Sequence, residues 1–307
     1  MVFSPFRWTL GKMFTWGNQR PRRLCYAVGL YTFFHPIYDM SYASIVHNFR
    51  EPLDLKNRYG SGSWVVVSGA SNPVGKQFAL KFAKKGFNVI LVDQSEEGMA
   101  EVKTLLEKET NVQVQSIYHN FPKSDEWKEY EELCQSIQEA AGGSENISIL
   151  VNNVEEKDTK GAKFHKAEDA EIVQTINMNT FPLVFTTRFL GPGLKNRVSN
   201  GKKSAIINIS STYADRPEAS LPIYSSAKSF GDVFSQNLWY ENQEMDILTV
   251  KGMPVKGKKV PNGVDAADLV DGALQDLGQE RISYGHASHS LMRYWILFQQ
   301  SSSFRSL

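Results

Sequence analysis

The sequence predicts an α/β domain: a doubly wound parallel sheet with helices on both faces, plus N- and C-terminal extensions. Three observations predict it. From Ser63 onward, short β-branched apolar runs alternate with amphipathic stretches. The first run leads straight into a glycine turn. The polar motifs of the chain then fall just after the apolar runs, at the strand ends where such sheets bind their ligands. In order, strands are expected at residues 64–67, 88–92, 112–118, 148–151, 204–209, 247–250 and 281–284. The first is Trp-Val-Val-Val closed by Gly69, and the fourth is Ser-Ile-Leu-Val. Such unbroken apolar runs suit strands covered on both faces. Helices are expected at 78–83, 124–141, close to 167–190, 223–241 and 265–277. The second of these is polar apart from Trp127, Tyr130, Leu133 and Ile137, which recur at helical spacing. Repeated strand–helix units with right-handed crossovers give the parallel sheet.

The chain has 307 residues and a formal net charge of +1. That length suits one large domain with extensions. The even charge balance argues against nucleic acid as the main partner. Cys25 and Cys134 cannot build a disulfide framework, which points to a reducing compartment. No internal repeat is present. The expected division is a basic, aromatic N-terminal extension at 1–60, the α/β domain at 61–285, and an aromatic tail at 286–307.

Residues 1–38 contain no acid but carry Arg7, Lys12, Arg20, Arg22 and Arg23. Acid-poor, Arg-bearing N-termini resemble mitochondrial transit peptides. The apolar residues 24–34 that follow fall short of the roughly 20 a spanning helix needs. They read as an interfacial segment or as a helix packed on its own domain. The tail residues 291–298 are likewise apolar and short. They are expected to cap a substrate pocket, touch a membrane or pack on a partner.

The glycine turn reads Ser68-Gly69-Ala70-Ser71-Asn72-Pro73-Val74-Gly75. Glycine allows a tight turn and close approach of a pyrophosphate, and the next helix offers its N-terminal N–H groups and dipole to the same anion. Gly69, Ser71, Val74 and Gly75 are therefore candidate cofactor contacts. Pro73 removes one N–H donor, although proline is acceptable as a first helical residue with Ser71 or Asn72 as cap. Asp93 ends the second strand. A carboxylate there accepts hydrogen bonds from the adenosine ribose hydroxyls and repels a 2′-phosphate, so NAD(H) is expected over NADP(H).

Tyr224 and Lys228 lie four apart at the start of a helix, on one face. An ammonium nearby lowers a tyrosine pKa by stabilising the phenolate. Tyrosine then serves as general acid or base at a substrate oxygen, and lysine can also hold a ribose. Ser211 ends the strand 204–209, placed to polarise a substrate carbonyl. A solvated tyrosine beside a surface lysine is the plainer reading of the pair alone, and Ser211 argues against it.

With these residues the sequence resembles the short-chain dehydrogenases/reductases, over roughly residues 64–250. That resemblance implies a Rossmann-type fold. Leu150-Val151-Asn152-Asn153 resembles the family's paired-asparagine motif. Asn179 resembles its helix asparagine, which implies a water held in the proton relay to Lys228. The resemblance also places Asn152 and Asn120 on the cofactor, Asn120 where an aspartate usually meets adenine. Residues 223–230 and 234–236 look most like the membrane-associated hydroxysteroid dehydrogenases and very-long-chain β-ketoacyl-CoA reductases. Residues 55–75 and 284–289 are also similar to the hydroxysteroid dehydrogenase-like proteins, a branch with mitochondrial and inactive members.

The departures from the family pattern cluster on the cofactor side and spare Ser211, Tyr224 and Lys228, which implies weakened, altered or lost cofactor binding rather than loss of the proton chemistry. Pro73 replaces a glycine. Val154-Glu155 stand where Ala-Gly or Val-Gly is usual, and Gly252-Met253 where Pro-Gly is usual. Pro182 lies inside the Asn179 helix and is expected to kink it. Residues 252–264 carry Lys256, Lys258 and Lys259, a basic lid or a solvated charge run.

Three functions are consistent with these residues. The first is an NAD(H)-dependent oxidoreductase acting on a lipophilic steroid or β-ketoacyl carbonyl. In it Tyr224 is the acid/base, Ser211 orients the carbonyl, Lys228 tunes Tyr224 and grips ribose, and Asn179 supports the relay. The second is an accessory subunit of a mitochondrial membrane complex that keeps the fold without the activity. The third is a dinucleotide sensor without turnover. A homodimer, and a membrane surface or membrane-complex partner met through the terminal segments, are the expected macromolecular contacts. The expected location is the mitochondrial membrane, with the endoplasmic reticulum as its rival.

Overall fold

The computed structural model describes residues 24–32, 34–35, 38, 41, 50–123, 126–156, 164–215, 221–252, 255 and 263–285. Residues 50–289 form one compact unit. It opens with helix α1 (Leu55–Tyr59) and strand β1 (Trp64–Ser68), then α2 (Pro73–Lys84), β2 (Asn88–Asp93), α3 (Glu96–Glu109) and β3 (Val114–Tyr118). The second half carries α4 (Trp127–Ala140), β4 (Ile147–Asn152), α5 (Asp169–Ser199), β5 (Ala205–Ser211), α6 (Pro222–Glu241), β6 (Asp246–Gly252), α7 (Ala266–Asp276) and β7 (Ile282–Ser283).

All seven strands are parallel, in the order β3-β2-β1-β4-β5-β6-β7. The strand order reverses between β1 and β4, so their carboxyl ends open the crevice where this topology takes a ligand. Alternate strand residues feed two apolar layers. Val65, Val67, Leu91, Val151 and Ile207 pack with Phe78 and Phe82 of α2, Val102 of α3 and Val270 of α7. Val66, Ile90, Leu150 and Ile206 pack with Tyr130 and Ile137 of α4 and Leu190 and Leu194 of α5. The period of two along each strand delivers both layers from one run of β-branched residues.

The doubly wound sheet expected from the sequence is present, with differences in detail. Residues 50–60, assigned above to the N-terminal extension, pack with the domain. The helix expected at 78–83 starts earlier, at Pro73, because Asn72 caps it and proline suits the first position. Helix α3 was not expected. Its buried face is only Met99, Val102 and Leu106, at positions i, i+3 and i+7 of a mostly charged stretch. Helix α5 runs past Pro192 to Ser199 rather than ending near 190. Gly193 lets the helix lie against Ser144, and buried Leu194 and Arg197 hold its last turns. The helix is continuous across Pro182, which has no N–H to give Met178 O.

Residues 24–32 are helical, and Leu24, Tyr26, Val28, Leu30 and Tyr31 are exposed on that helix. Among the described residues no helix is long and apolar enough to cross a membrane. The basic residues of 1–23, Lys256, Lys258, Lys259 and the tail at 291–298 lie outside the described residues.

Candidate active site

The glycine turn leaves β1 at Gly69, whose φ of +63° is accessible to glycine. A Cβ there would sit 2.6 Å from Asn153 O, and one on Gly75 would sit 2.2 Å from Gly69 O. Both glycines are thus required by contact of the turn with its own chain. Asn72 and Asn153 lock it. Asn72 Oδ1 accepts from Gly75 N–H at 2.9 Å and from Asn153 Nδ2 at 3.0 Å. Asn72 Nδ2 donates to Asn153 O at 3.2 Å, and Asn153 Nδ2 also donates to Gly69 O at 2.9 Å. Asn72 and Asn153 were not singled out from sequence as site residues. Their signal is the asparagine at the cap position and the second of the paired asparagines.

The turn spends most of its donors internally. Ser71 N–H donates to Asp93 Oδ2 at 2.9 Å, and Ser95 N–H to Asp93 Oδ1 at 3.1 Å. With Pro73 lacking an N–H and Gly75 N–H taken by Asn72 Oδ1, Val74 carries the first-turn N–H of α2 that an anion would use. Each Asp93 oxygen keeps a second lone pair. Asn120 follows β3 and accepts from Lys123 N–H through its backbone carbonyl at 3.0 Å.

Ser211 ends β5, and Tyr224 and Lys228 enter on the first turns of α6; all three are buried. Ser211 lies close enough to Tyr224 to favour its phenolate. Lys228 Nζ lies 5.5 Å from the Tyr224 ring centre and donates to Ile209 O at 3.2 Å. The three sequence-predicted residues therefore meet. A fourth side chain joins them. Glu155, just beyond β4, places Oε2 3.0 Å from Tyr224 Oη and 3.1 Å from Lys228 Nζ. Burial, then the Glu155 charge, pushes the Tyr224 pKa well above a phenol's ordinary value, while Ser211 pulls the other way. The expectation of a lysine-lowered tyrosine is corrected on this point. The ammonium is engaged by Glu155, and desolvation of the phenolate dominates.

Asn179, on α5, donates through Nδ2 to Glu156 O at 2.7 Å and to Thr175 O at 2.8 Å. It fixes the segment after β4 that carries Glu155. Beside it is a cavity of about 20 Å³ lined by Asn152, Asn179, Ile209 and Lys228, room for a single water. Asn152 borders the cavity, but its side chain is committed. It donates to Asn208 Oδ1 at 2.9 Å and to Thr187 Oγ1 at 3.2 Å, and accepts from Thr186 Oγ1 at 2.7 Å. Asn152 ties β4 to β5 and α5 and has no amide hydrogen left for a cofactor.

Sequence reading also passed over Lys251 on β6. Its buried ammonium meets Asp232 of α6 at 2.6 Å and Asp215 at 2.7 Å. Burial pulls its pKa down, but the two carboxylates outweigh that and raise it. Asp215 closes the turn after Ser211, so the cluster anchors that turn to two elements. Nothing local in the sequence marks the three as partners, because they come from separate elements.

A switch-point crevice with a glycine turn on one side and a tyrosine acid beside a lysine on the other defines a dinucleotide-dependent oxidoreductase. Residues 63–255 match the family model for short chain dehydrogenases, and the chain belongs to that family of NAD(P)-dependent oxidoreductases. It is 30% identical over 241 residues to a very-long-chain 3-oxoacyl-CoA reductase of Mus musculus, covering 75% of this chain and 73% of that protein. It is 28% identical over 251 residues to hydroxysteroid dehydrogenase-like protein 1 of Gallus gallus, covering 78% and 72%. Its fold matches a short-chain dehydrogenase from Sphingobium yanoikuyae in complex with NADPH, with a TM-score of 0.65 and 23% identity over 80% of this chain and 95% of that one.

The residues present fit a dinucleotide. The Val74 N–H at the start of α2 would suit the pyrophosphate, Asp93 an adenosine ribose, and Lys228 and Tyr224 the nicotinamide ribose.

Proposed function

We propose that this chain is an NAD(H)-dependent reductase of a lipophilic carbonyl, with a long-chain 3-oxoacyl thioester favoured over a steroid ketone. The convergence of Ser211, Tyr224 and Lys228 at the switch point carries this reading. Similarity to the very-long-chain 3-oxoacyl-CoA reductases supports the acyl substrate. Asp93 supports NAD(H), since its carboxylate would repel a 2′-phosphate at the end of β2.

Bound nicotinamide supplies the hydride. Ser211 Oγ donates a hydrogen bond to the substrate carbonyl and polarises it. Tyr224 passes its proton to the same oxygen as negative charge develops there. The Lys228 ammonium steadies the phenolate that Tyr224 leaves. The water-sized cavity between Asn179 and Lys228 offers a path for its reprotonation. Burial holds Tyr224 in its protonated form, the form from which a reduction starts.

The test is NADH and NADPH oxidation by the purified chain, offered 3-oxoacyl-CoA esters of long and short chain and a steroid ketone. Long-chain esters with NADH are expected to turn over fastest. Tyr224→Phe should lower that rate by about 10²–10⁴-fold without changing cofactor affinity more than severalfold. Turnover that survives Tyr224→Phe would sink the assignment.

A second reading is favoured by one observation, the Glu155 carboxylate lying across Tyr224 and Lys228. In that reading the chain is an accessory subunit of a mitochondrial membrane complex and the catalytic set is silent. The exposed apolar helix at 24–32 supports contact with a membrane surface or a membrane-complex partner under either reading. Exposed Phe230, Val233 and Tyr240 on α6 support a homodimer.

A further inference from the structure

The carboxylate of Glu155 meets the two catalytic side chains through one oxygen, Oε2. The Lys228 side chain is 5% exposed and that of Glu155 is 32% exposed; Tyr224 is 1% exposed. The carboxylate therefore lies between a buried pair and solvent. Of the two ion-pair partners Glu155 is the more exposed. Among the described residues, Glu155 is the carboxylate within ion-pair distance of Lys228, whose other hydrogen bond goes to the neutral Ile209 O. A phenol that donates to Glu155 has turned its single proton away from a substrate oxygen. In this arrangement the pair is assembled and also occupied.

We propose that Glu155 is an internal competitor for the cofactor: its carboxylate fills the place of the nicotinamide ribose hydroxyls on Tyr224 and Lys228, and its displacement sets cofactor affinity. The inference rests on the NAD(P)(H)-dependent reading of this site. Glu155 is built to leave. It sits just past the end of β4, beside solvent, while Asn179 holds the following residue through its backbone. Binding to a site whose competent form is a minor population is weakened in proportion to that population. A charge-assisted contact to a buried lysine is strong enough to hold the open form to a tenth or less.

The experiment is equilibrium binding of NADH and NADPH to the full-length chain by calorimetry, for the wild type, Glu155→Ala and Glu155→Gln. Circular dichroism would show that each variant is folded. Glu155→Ala is expected to bind at least about tenfold more tightly than wild type. Glu155→Gln, which keeps the shape but drops the charge, should fall between them. Equal or weaker binding by Glu155→Ala overturns the competition and leaves the oxidoreductase reading standing. Binding of neither cofactor by any of the three proteins overturns both.

Discussion

Single side chains in this domain take their chemistry from what surrounds them, and His119 is a second case beside Tyr224. It follows β3 and packs edge-on against Phe121, with ring centres 4.8 Å apart, and against Tyr130 at 5.3 Å. Burial among these rings lowers its pKa below the ordinary 6.5, outweighing the Glu129 charge, which acts in the opposite sense. A histidine with a depressed folded pKa favours the fold above its unfolded pKa. That contribution is lost as pH falls through the folded value. The melting temperature of the wild type is therefore expected to fall as pH is lowered from about 6.5. In His119→Gln the same scan should be flatter, and melting curves across that range check it. A parallel decline in both proteins would place the acid sensitivity elsewhere.

At the scale of elements, the turn between β1 and α2 shows how the switch point is held open. Asn72 caps α2 through Gly75 N–H and also bridges to Asn153, beyond β4. Asn72→Ala removes both links and leaves the Asn153 amide with Gly69 O as its remaining side-chain partner. The expected loss is about 1–2 kcal/mol, read from urea unfolding. Asn72→Ser restores the cap but not the bridge and should recover part of it. The elements also show what the sequence discloses. Strands β1, β2 and β4 are buried on both faces, so their β-branched runs are unmistakable, and Ser211, Tyr224 and Lys228 follow from spacing. Helix α3 escapes because three apolar residues suffice to dock it and the rest is solvated. The end of α5 escapes because tertiary contacts of Gly193, Leu194 and Arg197 override the breaking tendency of Gly191-Pro192. Glu155 is visible as an unusual residue after the paired asparagines. Its bonds to Tyr224 and Lys228 join residues 69 and 73 positions away, which no local pattern encodes.

At the scale of the molecule, the ligand crevice and the foundation of the sheet lie at opposite ends of the strands. The foundation is a clasp formed by residues 50–60. Leu55 and Tyr59 are buried in the α2 layer. Arg58 makes a two-pronged contact with Asp246 at the start of β6, at 2.7 and 2.9 Å, and Tyr59 Oη donates to the same carboxylate at 2.7 Å. Buried Arg197, from the end of α5, donates to the backbone carbonyls of Tyr59 and Glu145. Upstream, Arg50 pairs with Glu280 at 2.6 Å, and its carbonyl accepts from Gln275. These contacts bind α1 to β6, α5 and the end of α7, so the domain should begin near residue 50 rather than 61. A chain lacking residues 1–49 is expected to unfold in urea within about 1 kcal/mol of the full chain, since it keeps the whole clasp. A chain lacking residues 1–60 loses two buried side chains worth about 1.5–3 kcal/mol each. It also leaves Asp246 without its arginine and Arg197 without the Tyr59 carbonyl. It should be destabilised by more than about 3 kcal/mol or fail to fold. If the two truncated chains unfold at the same urea concentration, residues 50–60 rest on the domain without supporting it, and the boundary belongs at 61.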